Sequence, residues 1–289
     1  MLRFASVAAP VILRMSKSDS PLSLREVIDL EFTEDPSLIG EGLLPNNGIM
    51  LIGGAPKSYK SFLLGEIALN LATGSNLFAA HKTEHGRTYP RFMVKKPVTV
   101  LLVEQEIGWY DLQLRYRKRY NSLEVPKQSP ASRNLFFASC DRSLRLDTDE
   151  GMGRFCQVIE SCHPDVLALD PLVEFHGADE NSTQEMSAVF RNLDRLRERY
   201  KLACIICHHT RKAQKGEAGG NPESLRGAQY TFGKGDSFLM AQVVNRSAGV
   251  IQIVPTIRRG VPIHAFRVKL DWETLSVGFH DWKKGEEKE

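Results

Sequence analysis

No run of apolar residues in this chain approaches the roughly twenty needed to cross a bilayer, so no segment is a candidate membrane-spanning helix. Charge of one sign is also missing. Lys and Arg number 38 against 35 Asp and Glu, a net of +3. So small a basic excess permits nucleotide or nucleic-acid binding without requiring either. Cysteines are few and odd in number: Cys140, Cys156, Cys162, Cys204 and Cys207. In a chain of 289 residues that argues against a disulfide framework and for a reducing, cytoplasmic setting. No internal repeat or low-complexity linker divides the chain, which is long enough for one α/β domain with a full core. Acids are absent before Asp19, so the opening "MLRFASVAAPVILRMSKSDS" resembles a targeting peptide. Its apolar part is short and broken by Pro10. Residues 1–23 are therefore expected to be a disordered arm, with Met15 an alternative start. Residues 24–280 are expected to form the folded domain and 281–289 a disordered, solvated tail.

What is present alternates. Helical spacing covers 24–34, then a turn at Pro45-Asn46-Asn47-Gly48 leads into an apolar strand at 49–52. Gly53 and Gly54 end that strand, and a helix starts at Lys60. Residues 75–97 are polar and basic and read as an inserted loop. Further strands are expected in "PVTVLLVEQE", "NLFFASC", "PDVLALD" and "LACIICHHT". Helices are expected in "WYDLQLRYRKRYNSL", "DEGMGRFCQVIESC" and "SAVFRNLDRLRERYK". After a Gly-rich loop at 213–224, three stretches from 236 onward read as closing antiparallel strands. Uniformly apolar strands alternating with helices predict an α/β fold with a mostly parallel sheet covered on both faces.

The first candidate site is Gly54-Ala55-Pro56-Lys57-Ser58-Tyr59-Lys60-Ser61. It matches the phosphate-binding loop G-x-x-x-x-G-K-[ST] except that Tyr59 replaces the second glycine. Backbone N–H groups, a lysine for phosphate charge, a hydroxyl for Mg²⁺ and a helix N-terminus are the parts such a site needs. Tyrosine fits only if residue 59 takes an ordinary dihedral, since glycine is the residue that tolerates positive φ. Asp170 closes the strand "VLALD" and can hold Mg²⁺ through water; alone it could equally cap the turn before Pro171. Glu104 and Glu106 end another strand. If that strand neighbours the phosphate-loop strand, one of them can polarise an attacking water. Period-two alternation puts both on one face, so spacing does not choose between them.

"CIICHHTRK" holds Cys204-x-x-Cys207-His208, the c-type haem attachment pattern and a possible metal cluster. Neighbouring residues of a strand face opposite ways, so both readings are rejected and the cysteines taken as small hydrophobes. The histidines fall at the same sheet edge as Asp170. Arg226 in "SLRGAQ", and Arg258 and Arg259 in "TIRRG", are candidates to stabilise charge at a γ-phosphate, though a lone arginine is more often a surface residue.

Together these residues resemble the RepA-type RecA-fold ATPases, the hexameric helicases of plasmid and phage replication. The resemblance runs from about residue 43 to 275. It implies a live site with ATP and Mg²⁺ as ligands, because an aromatic residue before the lysine is familiar in that group. It places the water-activating residue at Glu106, the magnesium ligands at Ser61 and Asp170, the sensor at His209 and the arginine finger at Arg226. Arg258 or Arg259 matches a second basic residue reaching a neighbour's nucleotide. The implied assembly is a ring, as a hexamer, on single-stranded DNA. The loops at 175–184 and 214–224 would face its channel, with Arg211, Lys212 and Lys215 as phosphate contacts. Two further readings stand beside it: a nucleotide-switched loader that acts on a partner without unwinding DNA, and a metabolic kinase, disfavoured because no acceptor pocket is legible.

Overall fold

The structure, a computed structural model, describes residues 21–29, 37–40, 42–78, 92–210, 231, 233–260 and 262–280. The chain forms two compact units, Met1–Asp35 and Pro36–Glu289. In the first, helix α1 (Leu24–Ile28) starts at a capping box: the Ser23 hydroxyl accepts from the Glu26 amide, and Glu26 accepts from the Ser23 amide. It is shorter than the 24–34 expected, with Asp29 at its C-cap.

The second unit is built on one nine-stranded sheet. Its strands are β1 (Ile49–Gly54), β2 (Val100–Glu104), β3 (Leu135–Ser139), β4 (Val166–Asp170), β5 (Ala203–His209), β6 (Ser237–Asn245), β7 (Val250–Ile257), β8 (Phe266–Leu270) and β9 (Val277–Phe279). The order is β3-β2-β4-β5-β1-β6-β7-β8-β9. All pairs from β3 to β6 are parallel; those from β6 to β9 are antiparallel. β6 therefore differs from the expectation for the closing strands, since it pairs in parallel with β1 before β7 turns back on it.

The central strands β1, β2 and β4 are buried at every position, which is why their sequences carry no alternation. One face of the sheet packs on α2 (Lys60–Thr73), with Leu63, Leu64, Ile67 and Leu71 in that core. The other face packs on α5 (Asp149–Cys162) and α6 (Thr183–Tyr200) through Phe155, Ile159, Phe190 and Leu193. α3 (Trp109–Asn121) is mostly exposed and basic, and buries Leu112. Helix α4 (Val125–Asn134) is not among the expected helices; Pro126 sits in its first turn, where a missing N–H costs nothing.

The stretch 75–97 is not wholly a polar loop. Its described ends bury Leu77, Phe78, Phe92 and Val94, and Phe78 meets Phe266 and Phe279 at ring separations of 5.9 and 5.8 Å. A buried ion pair ties helices to sheet: Arg119 Nε and Nη2 each lie 2.9 Å from Glu66 carboxylate oxygens. Glu66 also accepts from Asn70 and from the Val277 amide of β9.

Candidate functional site

The carboxyl ends of β1, β2, β4 and β5 converge on a cavity of about 280 Å³. Its lining includes Ser58, Lys60, Ser61, Glu106, Asp170 and His209. β1 reaches it through Gly54. A Cβ there would lie 2.5 Å from Ser58 Oγ and 2.7 Å from the Ala241 carbonyl, so the turn admits only glycine. Ala55, Pro56 and Lys57 are exposed, and Ser58 folds back into the protein.

Tyr59 corrects the expectation of an ordinary dihedral. It has φ 66° and ψ 21°, left-handed like the glycine it replaces, and forms the N-cap of α2. Lys57 is also left-handed, at φ 60°. The tyrosine is tolerated because its side chain finds partners outside the loop. Its hydroxyl donates to the Arg246 carbonyl at 3.1 Å, and its ring meets Trp272 edge-on at 5.6 Å.

Lys60 is buried. Its Nζ donates to the carbonyls of Gly54 at 3.0 Å and Ala55 at 2.9 Å, and lies 3.3 Å from His209 Nδ1. Burial lowers its pKa, against the nearby Cys207, Asp170 and Glu106. Asp170 is 3% exposed. Burial raises its pKa, while hydrogen bonds from Ser61 and Cys207 and the charges of Lys60 and Arg115 oppose the rise.

The two glutamates separate. β2 ends at Glu104, so strand alternation does not extend to Glu106 and the shared-face expectation fails. Glu104 is 2% exposed, and its Oε1 accepts from the amides of Glu106 at 2.8 Å and Ile107 at 3.4 Å. Burial and then Asp170 push its pKa up to about 7. Glu106 faces the cavity, with Oε1 4.0 Å from His209 Nε2. The condition that β2 neighbour β1 is not met, because β4 and β5 lie between them. Glu106 reaches the cavity from the bend beyond the strand.

Arg115, on α3, also lines the cavity, with its guanidinium 4.4 Å from the Phe62 ring centroid. The sequence reading missed it; the signal was the basic helix following the glutamates. Arg258 donates to the Gly233 carbonyl and Arg259 pairs with Asp236, so both sit away from this cavity. Arg226, Arg211, Lys212, Lys215 and the loop at 214–224 lie outside the described residues. The loop at 175–184 is described: Phe175, His176 and Glu180 are buried, Gly177, Asp179 and Asn181 are exposed, and it holds no lysine or arginine.

Cys204 and Cys207 belong to the cores on opposite faces of the sheet, so they cannot share a ligand. All five cysteines are free, and among the described residues no group of three or more metal-ligating side chains occurs. No helix among the described residues is long and apolar enough to cross a membrane.

The donor set fits a magnesium–nucleotide. Ser61 and Asp170 both line the cavity and supply the hydroxyl and carboxylate oxygens that Mg²⁺ takes. α2 begins with no side-chain cap and no acid in its first turn, which leaves its N-terminal N–H groups for an anion. The buried Ser58 Oγ has no hydrogen-bond partner.

A family model described as AAA domain matches residues 19–215. No curated protein matches the chain. Among solved structures, the ATPase domain of G40P is similar with a TM-score of 0.57, over 89% of this chain and 96% of that one, at 12% identity. At that identity the likeness is one of fold, and the fold is the RecA-like α/β arrangement with a mostly parallel sheet.

Proposed function

The chain belongs to the AAA domain family, and from that premise we propose that it is a RepA-like replicative DNA helicase: an ATPase that assembles as a ring, as a hexamer, on single-stranded DNA. The observation that carries the ATPase reading is the convergence of Lys60, Ser61, Asp170, Glu106 and His209 on one cavity. Lys60 and the N-terminus of α2 take the phosphates. Ser61 and Asp170 hold Mg²⁺, which when bound neutralises charge on the β- and γ-phosphates. Glu106 polarises the attacking water, and His209, touching both Lys60 and Glu106, reports the γ-phosphate to β5. Arg226 is the finger donated by a neighbour. The similarity in fold to the ATPase domain of G40P supports the reading.

A second reading is a nucleotide-switched loader that acts on a partner without unwinding. It draws on the loop at 175–184, where no basic side chain is present to meet DNA phosphates. One experiment separates them: ATP hydrolysis with and without single-stranded DNA, run beside a forked-duplex unwinding assay. Stimulated hydrolysis with unwinding supports the helicase. Hydrolysis without unwinding supports the loader. No hydrolysis under any condition removes both.

A further inference from the structure

We propose that Arg246, in the turn between β6 and β7, is a positioning residue that holds the phosphate loop in its binding shape. Lys57 and Tyr59 are both left-handed and neither is glycine. In each, the Cβ crowds the following carbonyl, so the loop relaxes unless something outside it holds it. Both are tied to the same residue. The Arg246 guanidinium donates to the Lys57 carbonyl at 3.0 Å. The Arg246 carbonyl accepts from the Tyr59 hydroxyl at 3.1 Å, across 187 residues of sequence. The guanidinium also lies 5.5 Å from the centroid of the Tyr59 ring.

The turn that presents Arg246 is itself braced. Asn245 Oδ1 accepts from the Ala248 amide at 2.9 Å and from the Ser247 hydroxyl at 3.0 Å. Trp272 Nε1 donates to the Ser247 carbonyl at 3.2 Å, and the same indole packs edge-on against Tyr59. This gives the replacement of glycine by tyrosine a physical reason. Glycine would adopt the dihedral at no steric cost but would bring no side chain to reach the turn. Tyrosine takes on the local strain and gains a tether to the antiparallel half of the sheet.

The consequence for activity rests on the proposed nucleotide site; the tether itself does not. Relaxing residues 57–59 would turn loop amides away from the phosphates. Glu106 and His209 stand on other elements and keep their places. The loss therefore falls on nucleotide affinity and spares the chemical step.

The test uses the full chain with Arg246→Ala, Arg246→Gln, Tyr59→Phe, Lys57→Gly and the double variant Lys57→Gly/Arg246→Ala. Three quantities are measured: hydrogen exchange of the amides at 55 and 57–60 without nucleotide, the Kd of a fluorescent ADP with Mg²⁺, and KM and kcat for ATP. Arg246→Ala is expected to speed loop exchange about tenfold, the equilibrium worth of releasing one left-handed residue. Kd and KM should rise about five- to tenfold, with kcat within about twofold. Arg246→Gln keeps a donor for the Lys57 carbonyl and should recover part of the loss. Tyr59→Phe, which removes the hydroxyl tether alone, should cost about threefold. In the Lys57→Gly background the effect of Arg246→Ala on loop exchange should fall to less than half, because the left-handed residue whose carbonyl the guanidinium holds is no longer strained. Unchanged exchange in Arg246→Ala overturns the proposal. So does an equal gain in exchange in the wild-type and Lys57→Gly backgrounds, which would mean that Arg246 does not act through the strained residue. If the wild-type chain binds no nucleotide, the proposed function falls and the exchange arm still decides the tether. If Arg246→Ala fails to fold, Arg246→Gln and Tyr59→Phe decide it.

Discussion

Glu106→Gln is expected to leave ATP bound and to cut its hydrolysis by about 10²-fold or more, the usual worth of a general base. That loss is about 2.7 kcal/mol of transition-state stabilisation. Glu104→Gln sets the comparison. Glu104 is buried and its Oε1 is engaged by the amides of Glu106 and Ile107. A glutamine there keeps an oxygen to accept both bonds and loses only charge assistance, about 1 kcal/mol or about fivefold. Glu106 is different: its side chain is 50% exposed and lines the cavity, within reach of water. The two variants should therefore differ by at least about tenfold in single-turnover phosphate release, while a fluorescent ATP binds both. The pH profile adds an independent check. Burial, then the charge of Asp170, raise the Glu106 pKa above its ordinary value. A base is lost as pH falls through its pKa, so turnover should begin to decline at a higher pH than an ordinary carboxylate would give. Glu106→Gln should flatten that acidic limb. An inactive Glu104→Gln beside an active Glu106→Gln would refute the assignment.

Lys60→Ala should abolish hydrolysis and weaken ATP binding while the circular dichroism spectrum stays native; unchanged turnover would remove the nucleotide site. Arg226→Ala should still bind ATP but lose turnover by about 10³-fold, and partial recovery on mixing with Lys60→Ala would mark a finger donated in trans. No recovery, with a monomer in native mass spectrometry in ATP and Mg²⁺, would reject the ring and the shared site. Metal analysis should find no stoichiometric zinc or haem iron, and a thiol reagent should modify the exposed Cys140 in the native protein but reach the buried Cys204 and Cys207 only in denaturant. Arg119→Ala strips the partner from Glu66 in a pair whose side chains are 13% and 6% exposed, and should cost about 3–5 kcal/mol in urea unfolding; a loss under about 1 kcal/mol would mean the pair is solvated.

The candidate phosphate loop was legible because its strand, turn and helix are written in one local stretch: an apolar run, a glycine turn, Lys60-Ser61 and a helical pattern. Asp170 and His209 were legible for the same reason, each at the end of a strand whose apolar run marks where it stops. The α/β class followed from the uniformly apolar strands. Only the tertiary structure decided the order of those strands, and with it that β4 and β5 separate the glutamate strand from the phosphate-loop strand. Strands buried on both faces are apolar throughout, so their sequences carry no mark of which neighbour each one meets. It also set Glu104 and Glu106 apart, burying the first and leaving the second at the cavity, because alternation predicts facing only while the strand continues, and β2 stops at Glu104. Tyr59 shows the same limit most directly. Locally, a tyrosine is the wrong residue for a left-handed turn. It is held there by Arg246 and Trp272, which stand far along the chain and meet it only when β6 is laid beside β1 and the antiparallel strands fold back.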